Sequence, residues 1–220
     1  MSDGVKRPYN SVLRDEQAQA TRRAVVKAAG RLFVERGYGA TTIDAIAEEA
    51  GVGRKTVFTS IGGKAQALKL AIDWAIVGDD EPVALLDRAV VRAGMADPDP
   101  RHILAGFVHS LREIAARIAP LIAVAEAAAG IDPEINALRE ESRTQRLTGM
   151  RVLAGVLADR SALKPDMTLD EAADVLWILS DPAIYTRLVI ERRWEGDRYE
   201  DWLVNSLFTL LLAESQKSAS

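Results

Sequence analysis

Hydroxyl, guanidinium and ammonium groups gather in one stretch of this chain, TTIDAIAEEAGVGRKTVFTSIGGK, from Thr41 to Lys64. Thr41, Thr42, Arg54, Lys55, Thr56, Thr59 and Lys64 supply the donors that reach phosphate oxygens and base edges. The sequence has no nucleophile elbow, phosphate-binding glycine loop, HExxH or cysteine that would point to bond-making chemistry. The chemistry expected of this stretch is therefore recognition of a polyanion.

The elements that must carry these side chains are two short helices and a tight turn. The first should run from Thr42 to Ala50, and the second from near Gly53 to just before Gly62. Gly51 stands where the first helix has to stop, in the left-handed conformation that costs glycine little. Ala47 is small enough for the second helix to approach, and Ile46, Ala50, Val52 and Val57 are apolar where the two must touch. Ala47, Gly51 and Val57 together fit the small, glycine and aliphatic positions of a helix-turn-helix. Arg54, Lys55, Thr56 and Thr59 then lie opposite Val57, the surface of a recognition helix. On spacing alone, any hairpin of helices with a glycine turn fits equally well.

The flanks support the motif. Ala24, Val25, Ala28, Ala29, Leu32 and Phe33 recur at helical spacing between Asp15 and Arg36, and Gly37 ends the run. Thr41 and Asp44 have the spacing of a capping box, and either Thr41 or Thr42 could cap the next helix and help hold a phosphate. Gly62 and Gly63 form a turn before a helix from Lys64 to about Val77. A lysine in a first turn opposes the helix dipole, which an external phosphate would relieve. Residues 1–14, with Lys6, Arg7 and Arg14, read as a flexible arm.

Composition narrows the class. The 220 residues are 48% hydrophobic with eight prolines and no cysteine, favouring a helical globular protein without disulfides or thiolate metal sites. The net charge of −4 conceals an asymmetry: residues 1–64 hold 11 Lys or Arg against 7 Asp or Glu, and the remainder 17 against 25. A basic end on an acidic body suits docking of that end onto nucleic acid. No N-terminal stretch resembles a signal peptide, and the apolar run from Ile118 to Ile131 carries Glu126, so a soluble cytoplasmic protein without a membrane partner is expected.

With ERGYGATT (Glu35 to Thr42), IAEEAGVGRKTVF (Ile46 to Phe58) and GGKAQAL (Gly62 to Leu68), residues 15–78 resemble the DNA-binding domain of TetR-family bacterial transcriptional regulators. That resemblance implies an all-α protein: a three-helix DNA-binding domain, a divergent helical ligand-binding and dimerisation bundle, and a homodimer on an inverted-repeat operator. It also implies repression relieved by a small-molecule effector of unknown identity. Carried over by position, Thr42 and Lys64 contact phosphates, while Arg54, Lys55, Thr56 and Thr59 face the major groove. Where the family usually has a hydroxylated aromatic, one residue, histidine and phenylalanine, this chain has Phe58, Thr59, Ser60 and Ile61. Phe58 is left with packing or apolar contact to DNA. Gly53 replaces a common capping serine, at a cost of only a few tenths of a kcal/mol.

The remainder, residues 79–220, reads as an antiparallel helical bundle with its boundary at Gly78 to Pro82. Helices are expected near 82–94, 100–117, 120–129, 132–159, 168–180, 182–194 and 198–214, punctuated by prolines including Pro120. The last of them are rich in large apolar groups, which core packing within one subunit would also explain; the family resemblance implies that the final two helices pair with a partner's, with Trp177, Tyr185, Trp202, Leu203 and Phe208 as the expected dimer contacts. Trp74, Phe107, His109, Met150 and Trp177 are candidates for an apolar ligand pocket, although plain core packing is the more ordinary reading of the aromatics and Met150. His102 and His109 share a helix seven residues apart with no acidic residue in register, so neither a metal nor another cofactor is expected. Two other readings stand beside the ligand-released repressor: a dimeric regulator without a ligand, acting by occupancy or a protein partner, and, more remotely, an all-helical enzyme.

Overall fold

The computed structural model describes residues 7–81 and 83–213, with residues 7–12 as backbone alone. Its contacts divide the chain into a first unit, residues 1–80 with 120–138, and a second, residues 81–119 with 139–220. Among the described residues the regular structure is helical, with one isolated bridge between Leu163 and Leu212.

In the first unit, α1 (Arg7–Ala40), α2 (Ile43–Glu49), α3 (Arg54–Ile61) and α4 (Lys64–Val77) enclose one core. Val25, Ala29, Leu32 and Phe33 of α1 meet Ile46 of α2, Val57 of α3 and Leu68 of α4, all essentially inaccessible to solvent. Ala24 is exposed, and Val26 takes the inner position instead. A Cβ at Gly30 would stand 3.4 Å from the Ala71 side chain, which marks how closely α1 and α4 approach. The helix of α1 is broken at Gly37 (φ 78°), as its sequence predicts, but it begins at Arg7 rather than Asp15. The segment expected to be an arm through Arg14 is thus helical from residue 7, and residues 1–6 lie outside the described residues.

The same unit includes residues 120–138: the end of α6 (Pro100–Ala129), a turn, and the start of α7 (Pro133–Asp159). Leu121, Ala128 and Ile135 are buried in its core. A boundary drawn at Gly78 finds the end of α4, where Gly78 adopts φ 89°, but does not reveal this later contribution. Asp80 belongs to the first unit and is held by Arg23 (2.5 Å) and Gln19 (3.2 Å) of α1.

The second unit holds a short 3-10 turn (Leu85–Asp87), α5 (Ala89–Met95), most of α6 and α7, α8 (Leu169–Leu179), α9 (Pro182–Tyr185) and α10 (Gly196–Leu211). A π-helical segment, Thr186–Glu191, extends α9. Local sequence explains the starts: Thr168 and Glu171 form a reciprocal capping box before α8, and Asp181 caps α9 ahead of Pro182. Tyr199, Leu203, Leu207 and Leu211 recur every fourth residue and form the buried stripe of α10. Two expectations fail: Pro120, which belongs to the first unit, lies inside α6 instead of opening a separate helix, and the helix expected at 82–94 is a 3-10 turn followed by the seven residues of α5.

Candidate nucleic-acid interface

The turn between α2 and α3 forms as its residues dictate. Gly51 adopts φ 66°, its N–H donates to the Glu48 carbonyl at 3.1 Å, and the Val52 N–H donates to the Ala47 carbonyl at 2.9 Å. These paired bonds are a Schellman motif, which satisfies the last carbonyls of α2 and turns the chain into α3. Ile46, Ala47, Val57 and Ile61 are buried beneath the turn.

Burying Val57 and Ile61 leaves Arg54, Lys55, Phe58 and Thr59 exposed on the other face of α3, with Thr56 half-buried at its edge. Phe58 is 46% exposed and lies beneath the Arg54 guanidinium, 5.7 Å from its ring centroid. Arg54 also pairs with Asp44 of α2 at 2.6 Å, both side chains more than half exposed. An exposed pair of this kind is worth about 0–1 kcal/mol, so a phosphate or base edge can displace Asp44 at little cost. Thr59 donates to the Thr56 carbonyl at 3.1 Å, and its oxygen can still accept.

The two threonines separate cleanly. Thr42 is the N-cap of α2, its exposed hydroxyl accepting from the Ala45 N–H at 3.1 Å. Thr41 is 1% exposed and donates to the Leu32 and Gly37 carbonyls, at 3.1 and 2.8 Å. Thr41 is therefore removed from the expected DNA contacts: its hydroxyl is spent on closing the end of α1. Because Thr42 is the cap, Asp44 stands one position short of a capping box and is free to meet Arg54.

Lys64 opens α4, as its sequence implies, and is half-exposed; its contacts were not foreseen. Its ammonium donates to the Tyr38 carbonyl at 3.0 Å and sits 4.1 Å from the centroid of the Tyr38 ring. Tyr38 is buried, stacked on Phe33, and donates its phenol to Asp132 at 2.9 Å. Burial, then the bond to Asp132, pushes the Tyr38 phenol above its ordinary range. That same bond, helped by the Glu134 and Ile135 N–H groups and by Lys64, holds Asp132 below the usual carboxylate range. The signal available in sequence was faint: a tyrosine between two glycines, and an Asp-Pro pair with the signature of a helix start.

Val34, Tyr38, Pro120, Val124, Ala127 and Ile131 line an open apolar groove of about 540 Å³ in the first unit. None of the five residues expected to line a ligand pocket borders it. Trp74 packs against the first unit's core, while the other four lie in the second unit. Phe107 and Met150 are half-buried against the second core. Trp177 donates its indole N–H to the Arg143 carbonyl at 3.3 Å and is covered by the Arg146 guanidinium 4.7 Å from its ring. His109 is a correction: its side chain is 54% exposed and meets Glu200 at 3.1 Å and Glu113 at 3.8 Å, so it belongs to a charged surface. Glu113, four residues along α6, is an acidic partner in helical register that the sequence reading overlooked. His102 likewise lies near Asp97 and Asp99. No group of three or more His, Cys, Asp or Glu among the described residues is arranged to hold a metal ion.

The expected dimer contacts also divide. Leu203 and Tyr185 are buried within the chain, a correction that follows from the inner stripe of α10 and the edge contact of Tyr185 with Tyr199 at 5.3 Å. Trp177, Trp202 and Phe208 are half-buried, and Ile178 and Leu210 are exposed on α8 and α10. No described helix is long and apolar enough to cross a membrane.

Residues 25–69 match the model for bacterial regulatory proteins of the tetR family. Two curated relatives from Pseudomonas putida, the HTH-type transcriptional regulator TtgR and the probable HTH-type transcriptional regulator ArpR, are each 40% identical over 58 residues. The match takes in 26% of this chain and 28% of each relative's length. Solved structures extend the likeness in fold. NalD, described as the secondary repressor of the MexAB-OprM multidrug efflux pump in Pseudomonas aeruginosa, aligns over 90% of this chain and 100% of its own, with TM-score 0.69 and 17% identity. A SmeT–triclosan complex aligns over 89% of this chain and 93% of its own, with TM-score 0.70 and 16% identity.

Proposed function

We propose, for a chain whose N-terminal domain belongs to the TetR family of bacterial regulatory proteins, that it works in the cytoplasm as a dimeric, sequence-specific repressor released from DNA by a small molecule. The observation that carries this reading is the exposed face of α3: Arg54, Lys55 and Thr59 presented over buried Val57 and Ile61. A helix so fixed can lie in the major groove, with Arg54 and Lys55 reading base edges or phosphates. Thr42 at the α2 N-terminus and Lys64 would bind the flanking backbone.

Dimerisation is supported by the apolar groups left on the outer faces of α8 and α10, Ile178, Trp202 and Leu210 among them. A two-fold dimer spaces two recognition helices by about one DNA turn, 34–36 Å, and so reads an inverted repeat. The triclosan-bound neighbour of the same fold supports a small apolar effector. Such an effector need only bind the released state more tightly, with a coupling of about 1–3 kcal/mol.

Fluorescence anisotropy with a duplex taken from upstream of the chain's own gene, against a scrambled duplex at about 150 mM salt, tests the reading. We expect Kd between about 10⁻⁸ and 10⁻¹¹ M on the first and far weaker binding on the second. Equal weak binding to both would contradict autoregulation at that site.

A further inference from the structure

We propose that Tyr38 and Asp132 are positioning residues for the DNA contact of Lys64. The proposal rests on the reading of Lys64 as a phosphate ligand and adds what holds its ammonium in place. The chain of contacts is continuous within the first unit. Asp132 precedes α7 and accepts from the Glu134 and Ile135 N–H groups through Oδ1, at 2.9 and 3.4 Å. Its other oxygen, Oδ2, accepts from the Tyr38 phenol at 2.9 Å. Tyr38 in turn offers Lys64 both its carbonyl, at 3.0 Å, and the face of its ring, at 4.1 Å.

Each link has a physical consequence. A free lysine ammonium swings on a four-carbon stem and loses that freedom on binding, so one already held loses less. One of its three N–H groups goes to the Tyr38 carbonyl, leaving two for phosphate. The π-face and carbonyl also offset the unfavourable position of a cation at a helix N-terminus. Tyr38 can hold Lys64 only if it is itself immobile. Stacking on Phe33, with ring centroids 5.7 Å apart, fixes the ring plane, and Asp132 fixes its outer edge.

The phenol oxygen is not needed for the stacking, which makes Tyr38→Phe a clean cut between Asp132 and the rest. A purely structural tyrosine would lower stability without discriminating between DNA contacts. A positioning tyrosine acts on affinity only through Lys64.

The experiment is a double-mutant cycle on the full chain, read by anisotropy on the specific and scrambled duplexes over a range of salt. Tyr38→Phe should weaken binding about two- to tenfold on both duplexes and flatten the salt dependence. In a Lys64→Ala background it should have no further effect. Asp132→Ala should reproduce the loss, and Asp132→Asn, whose single oxygen can still accept from the α7 N–H groups while its NH2 donates to the phenol oxygen, should recover part of it. An equal loss with and without Lys64, or no loss from either Tyr38→Phe or Asp132→Ala, overturns the proposal. Parental affinity and salt slope in Lys64→Ala alone would remove the phosphate reading and the proposal together. If Lys64→Ala weakens binding while Tyr38→Phe does not, the positioning role alone fails.

Discussion

The exposed face of α3 in the first unit and the helices of the second unit use charged side chains in opposite ways. In the first, the core beneath α3 is largely aliphatic and alanine-rich, with Phe33 and Tyr38 stacked within it, and the polar groups of α3 itself are left on the surface with partners that are easily exchanged, such as Asp44 for Arg54. In the second, aromatic and basic groups are committed to one another: Arg146 covers Trp177 and bonds to Asp181 at 2.9 Å, and Arg160 donates to the Met95 and Asp97 carbonyls. Burial lowers the proton affinity of Arg146 and pushes the Tyr199 phenol up to about 12. The proposed DNA surface on α3 is made of residues whose partners are exposed and easily exchanged, whereas residue type alone misleads where the fold commits such groups to one another.

The largest expected effect breaks the first half of this comparison. Arg54→Ala with Lys55→Ala should reduce specific affinity to the non-specific level, a loss of about 10³-fold or more, with unchanged circular dichroism because both side chains are exposed. Retained affinity would take those side chains out of the contact set. In the second unit, Leu203→Ala should lower stability by about 2–5 kcal/mol, since Leu203 is fully buried in the chain. Trp202→Glu should instead shift the sedimentation coefficient from dimer to monomer. If the effects were exchanged between these neighbours, the division of α10 into an inner stripe and an outer face would be wrong.

Adjacent threonines give a finer test. Thr41→Val removes the buried hydroxyl that donates to the Leu32 and Gly37 carbonyls and should cost about 1–3 kcal/mol in chemical denaturation, with little change in the salt slope of DNA binding. Thr42→Ala removes the α2 cap for about 1 kcal/mol and should weaken DNA binding as well. The smallest effect is on acid stability. Asp132 is held below its ordinary pKa, so its contribution is present above the unfolded value, about 3.9, and is lost as pH falls through the lower folded value. Asp132→Asn should therefore flatten the fall of the thermal midpoint below about pH 4; an unchanged slope would show that its ionisation is not linked to folding.

These contrasts explain what was legible in the sequence. Gly51, Ala47 and Val57 announce the helix-turn-helix because its geometry depends on local backbone and packing requirements, and the bounds of α3 and α4 follow from Gly53, Gly62, Gly63 and Gly78. Thr41 and Thr42 are chemically identical, so only the fold could show that one faces carbonyls and the other solvent. Pro120 reads as a break, yet α6 continues through it. Tyr38, Lys64 and Asp132 span 94 positions from first to last, a separation across which no periodicity operates. Leu203 and Trp202 differ by one position on an amphipathic helix, which decides between core and outer face; apolar character and family resemblance do not separate the two.

The central claim, that two exposed α3 helices of a dimer read DNA, is tested most directly by selecting bound duplexes from a random library and measuring the winner by anisotropy at about 150 mM salt. The account predicts an inverted repeat whose half-sites lie about one helical turn apart, bound about 10³-fold or more tighter than a scrambled duplex, with the advantage lost in the Arg54→Ala, Lys55→Ala double variant. Selection of no common sequence, or of one that the double variant binds equally well, would contradict it.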